Sequence, residues 1–219
     1  MNLYPTILTD SVEVFVRQAS LAQSLEGVEI IQVDIIDGRF ADNMTISPAD
    51  IAGFDFGELQ LDFHLMVEEP LDYLNEIIEY KEQLPTRAVI AQVERMSSQL
   101  EFINQAKDVK IKAGFSLDLF TPFSAIEKDI LSKLDVIQLM SIEAGFQGQK
   151  FDQKIFQKIK EINQIKKELE LNFELVIDGG IKEAQLKQLK NLQVDAVAVG
   201  SWLWKNDKPQ SVAESVITS

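Results

Sequence analysis

Short runs of apolar, mostly β-branched residues recur along the chain. They alternate with longer stretches whose apolar positions fall three and four residues apart. The short runs predict strands near Tyr4–Leu8, Glu29–Ile35, Gln60–Leu65, Arg87–Gln92, Lys110–Ser116, Val136–Met140, Glu174–Ile177 and Ala196–Val199. The longer stretches predict helices near 11–25, 70–83, 97–107, 122–132, 152–170, 182–191 and 209–217. A further short helical turn follows Ser47, with Pro48 suited to the first helical position. Strands that alternate with helices in this way form a parallel sheet with helices outside it. Eight such units in 219 residues predict an α/β fold closed as a (β/α)₈ TIM barrel rather than an open flavodoxin-like sheet. The prolines are scattered and no Gly/Ser-rich linker interrupts the pattern, so residues 1–219 read as one barrel domain.

In a barrel of this kind the active site lies at the C-terminal ends of the strands. Strand two ends in Gln32-Val33-Asp34-Ile35-Ile36-Asp37-Gly38. Side chains alternate along a strand, so Gln32 and Asp34 share one face while Val33 and Ile35 share the other, apolar one. An inward Gln and Asp are either functional or a polar pair held by loop hydrogen bonds. Strand three places His64, the single histidine of the chain, near its end. By itself such a residue is a structural histidine or a ligand. Strand seven runs Leu175-Val176-Ile177 into Asp178-Gly179-Gly180, an apolar run meeting a carboxylate and a flexible turn.

Glycine-rich turns follow three consecutive strands. They are Gly145-Phe146-Gln147-Gly148-Gln149, Gly179-Gly180 and Gly200-Ser201. Glycine lets backbone N–H groups approach an anion closely, and barrels commonly hold phosphate at the loops after strands seven and eight. One such turn could be a simple helix-starting loop. Three together point to a phosphorylated ligand.

Charge narrows the partners. The formal net charge is −14. That disfavours nucleic acid, whose backbone needs clustered Lys and Arg, and it disfavours anionic membranes. It leaves room for a small phosphorylated molecule bound by backbone donors. The acidic residues spread over the predicted helix faces 68–82 and 161–170, as on a solvated surface. No run is long enough for a membrane span, and Met-Asn-Leu-Tyr-Pro carries no secretory pattern. The absence of cysteine excludes disulfides and thiolate metal sites. A cytoplasmic protein is the resulting expectation. Trp202 and Trp204, after the strand-eight glycine, read as core-packing residues.

At these residues the chain resembles the ribulose-phosphate 3-epimerase family, in the same order and over nearly its whole length. The resemblance is carried by Pro5-Thr6-Ile7-Leu8-Thr9-Asp10, Val33-Asp34-Ile35-Ile36-Asp37-Gly38-Arg39-Phe40, Asn43-Met44-Thr45-Ile46, Asp62-Phe63-His64-Leu65-Met66, Leu139–Phe151 and Ile177-Asp178-Gly179-Gly180-Ile181. It implies inversion at C3 of a ketose phosphate, with D-ribulose 5-phosphate giving D-xylulose 5-phosphate. Asp34 and Asp178 would serve as the acid–base pair on opposite faces of the substrate, through an enediolate. It further implies a divalent metal (Zn, Fe or Mn) on Asp34, His64 and Asp178. Met66 and Met140 would cover the intermediate, Thr6 would touch the substrate, and Gly145, Gly148, Gly179, Gly180, Gly200 and Ser201 would cradle the phosphate. Relatives are commonly dimers or hexamers, so a homo-oligomer is expected.

The chain also departs from the family pattern. Gln32 stands where the second ligand histidine is expected, and Gln92 where a further site-lining histidine is expected. Ile36, Arg39 and Ala144 replace a methionine, a histidine and a proline. An amide oxygen is a harder, weaker donor than imidazole, so Gln32 predicts a weaker metal site. Asp34, His64, Asp178 and Gln32 form an oxygen-rich set suited to Mn²⁺, Fe²⁺ or Mg²⁺. Without a cation, two close carboxylates repel and one keeps its proton, leaving Arg39 or backbone donors to stabilise the enediolate. Two other readings stay open: a non-catalytic relative that binds a sugar phosphate, and another phosphate-binding barrel enzyme such as a hexulose-phosphate epimerase, synthase or lyase. The Asp-x-Lys-x-x-Asp pattern of related decarboxylases is absent after strand two.

Overall fold

Eight parallel strands follow one another around a closed barrel in chain order, and the last pairs with the first. They are β1 (Asn2–Ile7), β2 (Ile30–Ile36), β3 (Gln60–Met66), β4 (Thr86–Gln92), β5 (Lys112–Leu117), β6 (Val136–Met140), β7 (Glu174–Asp178) and β8 (Ala196–Val199). Around them lie α1 (Val12–Gln23), α2 (Pro48–Ile51), α3 (Pro70–Glu79), α4 (Gln99–Asp108), α5 (Ile155–Glu168), α6 (Glu183–Asn191), α7 (Ser201–Trp204) and α8 (Pro209–Ile217). The structure, a computed structural model, describes residues 1–146 and 148–218; Gln147 of the turn after β6 lies outside the described residues. The expected (β/α)₈ barrel is the fold observed.

Local sequence sets the element ends. Ser11 is extended and its side chain accepts from Val14 N, capping α1, which buries Phe15, Ala19 and Ala22 on one stripe. Pro70 opens α3, which buries Leu74 and Ile77.

One expected helix is absent. The apolar spacing of residues 122–132 predicts a helix, but the segment forms two 3₁₀ turns, Phe123–Ala125 and Lys128–Lys133. Ile126 and Glu127 between them are extended. The Gln99 side chain holds this interruption, donating to Ala125 O at 2.8 Å and accepting from Glu127 N at 3.0 Å. Ile126, Ile130, Leu131 and Leu134 are all buried nonetheless. The burial that writes a helical pattern is met here without a helix. Conversely, α7 was not foreseen; its Trp204 donates from Nε1 to Thr6 O at 2.7 Å.

The barrel interior has three tiers. Near the N-terminal ends of the strands Tyr4, Ala88, Ile90, Val136, Val176, Ala196 and Ala198 form an apolar layer. It is tight: a Cβ on Gly114 would lie 2.8 Å from Val136 Cβ and 2.9 Å from its carbonyl oxygen. Above it sits a belt of polar side chains, Gln32, Asp34, His64, Gln92, Ser116, Gln138 and Asp178, all buried. Ile36, Met66, Met140, Ile142 and Ala144 form the upper, apolar tier. The outward residues of β2, Val33 and Ile35, join the larger core between strands and helices.

An ion cluster closes the lower end. Arg87 donates from Nε to Asp62 Oδ1 at 2.8 Å and from Nη1 to Glu174 Oε2 at 2.8 Å, and its Nη2 pairs with Asp62 Oδ2. Its guanidinium carbon lies 5.0 Å from the centroid of the Tyr4 ring, whose hydroxyl donates to Glu174. Burial pushes the Asp62 carboxyl up, and the Arg87 cation opposes that shift. Replacing Arg87 by Leu would leave Asp62 buried without its counter-ion. We expect Arg87→Leu to lower the unfolding free energy by about 3–5 kcal/mol, read as a lower urea midpoint. An unchanged midpoint would show that Asp62 finds another partner.

Candidate active site

A small pocket opens at the C-terminal ends of the strands. On its floor and wall are Thr6 from β1, Asp34 from β2, Met66 from β3, Met140 from β6 and Asp178 from β7. Its other side is made by Gly145, Gly148, Gly179, Gly180, Gly200 and Ser201. The sequence-predicted lining residues therefore meet in one place. His64 and Gln32 sit just beneath them, fully buried.

The glycines are there for conformational and steric reasons. Gly179 and Gly180 have φ of +108° and +60°, and a Cβ on Gly180 would lie 2.6 Å from Phe151 N. The turn after β7 is thus pressed against the loop after β6. Ser141 fastens the two strands, its backbone N–H donating to Asp178 O at 2.7 Å and its hydroxyl to the same oxygen at 2.9 Å. Asn43 Nδ2 donates to Gly145 O at 2.9 Å and ties the loop after β2 to the same rim.

Beneath the pocket, strands far apart in sequence bring two carboxylates together. Register places Asp34 beside His64 and Asp178 beside Met140. Gln32 Nε2 bridges the acids, donating to Asp34 Oδ1 at 2.9 Å and to Asp178 Oδ2 at 2.7 Å. Gln138 Nε2 donates to Asp178 Oδ2 at 3.1 Å. His64 Nδ1 lies 3.2 Å from Asp34 Oδ1 and 3.7 Å from Asp178 Oδ2. Burial, and then the Asp34 charge, push the Asp178 carboxyl well above the usual carboxylate range; His64 and the Gln32 hydrogen bond oppose this.

The donor set fits a cation. One ligand atom from each of Asp34, His64 and Asp178 lies within 4.8 Å of the others. Gln32 Oε1 and Gln138 Oε1 are buried beside them and find no hydrogen-bond partner among the described residues. Two carboxylates, one imidazole and nearby amide oxygens suit a divalent ion of intermediate hardness.

The mouth is polarised. Past Gly180 and Ser201 the pocket continues into a groove lined by Lys150, Lys182 and Lys205 and, among the described residues, by no carboxylate. Beyond the loops after β2 and β3 a separate groove carries Asp37, Glu68, Glu69, Asp72 and Glu76, none of which lines the pocket. Arg39, considered from sequence as a stand-in electrophile, lies in that acidic groove, 3.9 Å from Glu68, and does not line the pocket. Sequence reading missed Gln138, although it stands two residues before Met140 and so faces inward by alternation. It also missed Ile142, Phe146 and Trp202 in the lining; these sit on loops and a short helix where no periodicity announces direction.

The comparisons with known proteins can be set against this geometry. Residues 3–204 match the Ribulose-phosphate 3 epimerase family. The chloroplastic ribulose-5-phosphate-3-epimerase of Arabidopsis thaliana is 32% identical over 82% of this chain, which spans 63% of that protein. The ribulose-phosphate 3-epimerase of Helicobacter pylori is 26% identical over 94% of this chain and 92% of its own length. Among solved structures, 3-hexulose-6-phosphate synthase from Salmonella typhimurium superposes with a TM-score of 0.66 at 15% identity, over all of this chain and 97% of that one, a likeness of fold alone. None of the described helices is long and apolar enough to cross a membrane. With a family match spanning almost the whole barrel, the chain belongs to the ribulose-phosphate 3-epimerase family.

Proposed function

We propose that this protein inverts C3 of a ketose phosphate, taking D-ribulose 5-phosphate to D-xylulose 5-phosphate, with Asp34 and Asp178 as the acid–base pair. The observation that carries this reading is the meeting of the two carboxylates, from β2 and β7, beside a glycine-walled pocket. The glycine backbone and Ser201 hold the phosphate, on the side of the mouth bordered by lysines. Thr6 touches the sugar. Met66, Met140 and Ile142 close over the reacting carbons and keep water from them.

One aspartate takes the proton from the carbon beside the ketone, and the other delivers a proton to the opposite face of the enediolate. The reaction runs both ways, so each carboxyl serves as acid in one direction and as base in the other. Gln32 and Gln138 orient Asp178 through their N–H groups. A divalent cation, when bound at Asp34, His64 and Asp178, neutralises the charge that develops on the substrate oxygens. Gln32 presents N–H groups to both acids where an imidazole is expected, which leaves one nitrogen and two carboxylates as ligands and favours Mn²⁺ or Fe²⁺ over Zn²⁺.

The deciding experiment is a coupled assay for xylulose 5-phosphate from ribulose 5-phosphate. Asp34→Asn and Asp178→Asn should each reduce kcat by about 10²–10⁴-fold. Wild-type rates in both variants would remove the acid–base assignment. Thermal stabilisation by ribulose 5-phosphate without turnover would instead mark a sugar-phosphate binder.

The cation has its own measurement. Gln32→His replaces an amide by imidazole and should tighten Zn²⁺ binding by about tenfold or more, followed by competition with a chromogenic chelator. Equal Zn²⁺ affinity in wild type and variant would show that position 32 lies outside the reach of the cation.

A further inference from the structure

The hydrogen-bonding groups around Gln92 fix which way its amide faces. One terminal atom lies 2.9 Å from Glu94 Oε2 and 3.3 Å from Ser116 O, both acceptors, so that atom is the nitrogen. The other is then the oxygen. It lies 3.1 Å from Ser116 Oγ and 3.1 Å from His64 Nε2. Ser116 Oγ can donate to that oxygen, but a bare Nε2 at 3.1 Å would set its lone pair against those of the carbonyl, so Nε2 of His64 carries a proton. In the neutral ring the lone pair is then on Nδ1, the nitrogen that faces Asp34 and Asp178.

This outcome is not automatic. Asp34 Oδ1, 3.2 Å from Nδ1, is a strong competing acceptor. Left alone, it would draw the ring proton to Nδ1, and His64 would become a hydrogen-bond donor with no lone pair facing the carboxylates. Gln92 opposes Asp34 from the far side of the ring. The amide cannot simply turn over, because both acceptors on its nitrogen would be stranded. Gln92, His64 and Ser116 are fully buried, so water does not offer a substitute partner.

We infer that Gln92, locked by Glu94 and Ser116, is the positioning residue that sets the tautomer of His64 and leaves Nδ1 able to ligate a cation. This deepens the cation reading above and rests on it only for the ligation step. It gives the glutamine at position 92 a definite task, where a histidine was expected from the family pattern: an amide has one acceptor end and one donor end and cannot exchange them by losing a proton.

His64 is the single histidine of the chain, so protein labelled with ¹⁵N-histidine gives one imidazole to observe. At a pH where the ring is neutral, the cation-free wild type should show its proton on Nε2. In Gln92→Leu the proton should move to Nδ1. Added Zn²⁺ should shift Nδ1 in the wild type while Nε2 keeps its proton, and Gln92→Leu should bind Zn²⁺ about 10–100-fold more weakly. Should Gln92→Leu fail to fold, Glu94→Ala removes the acceptor that locks the amide from the exposed side, and a mixture of tautomers is expected. A wild-type proton on Nδ1, or a tautomer unchanged in the folded variants, overturns the inference whatever Zn²⁺ does. The expected tautomer with an Nδ1 that ignores Zn²⁺ supports the role of Gln92 and overturns the cation reading instead.

Discussion

Two carboxylates that belong to opposite walls of a barrel are held close together where water scarcely reaches. Bringing like charges together in a poorly screened interior is unfavourable unless donors or a cation answer them. The surrounding structure reads as that answer. Gln32 spans both acids and Gln138 supports one of them, while His64 turns toward the pair a lone pair that a cation would engage. The ring is oriented in turn by Gln92, and Gln92 by Glu94 and Ser116. Each member of the polar belt is explained by the one inside it, and the innermost constraint is the Asp34–Asp178 approach.

The tiers of the interior keep this demand apart from stability. The polar belt lies above a close-packed apolar layer and a lower ion cluster that share none of its side chains. A change at Gln32 or Gln92 therefore alters the chemistry of the belt without emptying the layer that closes the barrel. That separation makes the departures from the family pattern physically tolerable. Glutamine keeps length and polarity where histidine is expected, so the belt stays filled and hydrogen-bonded while its ligand character changes.

Much of this was legible in the sequence, because the barrel repeats one simple rule. Alternation along Gln32-Val33-Asp34-Ile35 divides inward from outward residues, and eight β–α units leave little room for any topology but closure. The acids, the histidine and the glycine turns were visible because each stands at a strand end. The segment 122–132 misled because burial alone writes a helix-like spacing; the Gln99 bridge that breaks it comes from another element and leaves no local mark. The role of Gln92 was equally hidden. Its orientation depends on Glu94, Ser116 and His64 together, and only their convergence in space assigns a direction to its amide. Ile142 and Phe146 join the lining from loops and Trp202 from the one-turn α7, where direction follows from packing rather than period.

The divided mouth carries a consequence for arrival. A sugar phosphate is a small dipole with its charge at one end. Lysines beside the glycines, and carboxylates gathered beyond the loops after β2 and β3, would exert a torque on it before any contact is made. The molecule would come in already turned, anionic end leading toward the glycines and carbonyl end trailing over the two acids. Productive encounters would then be a larger share of all encounters than shape alone allows, and added salt would erode that advantage by randomising the approach rather than by loosening the bound complex.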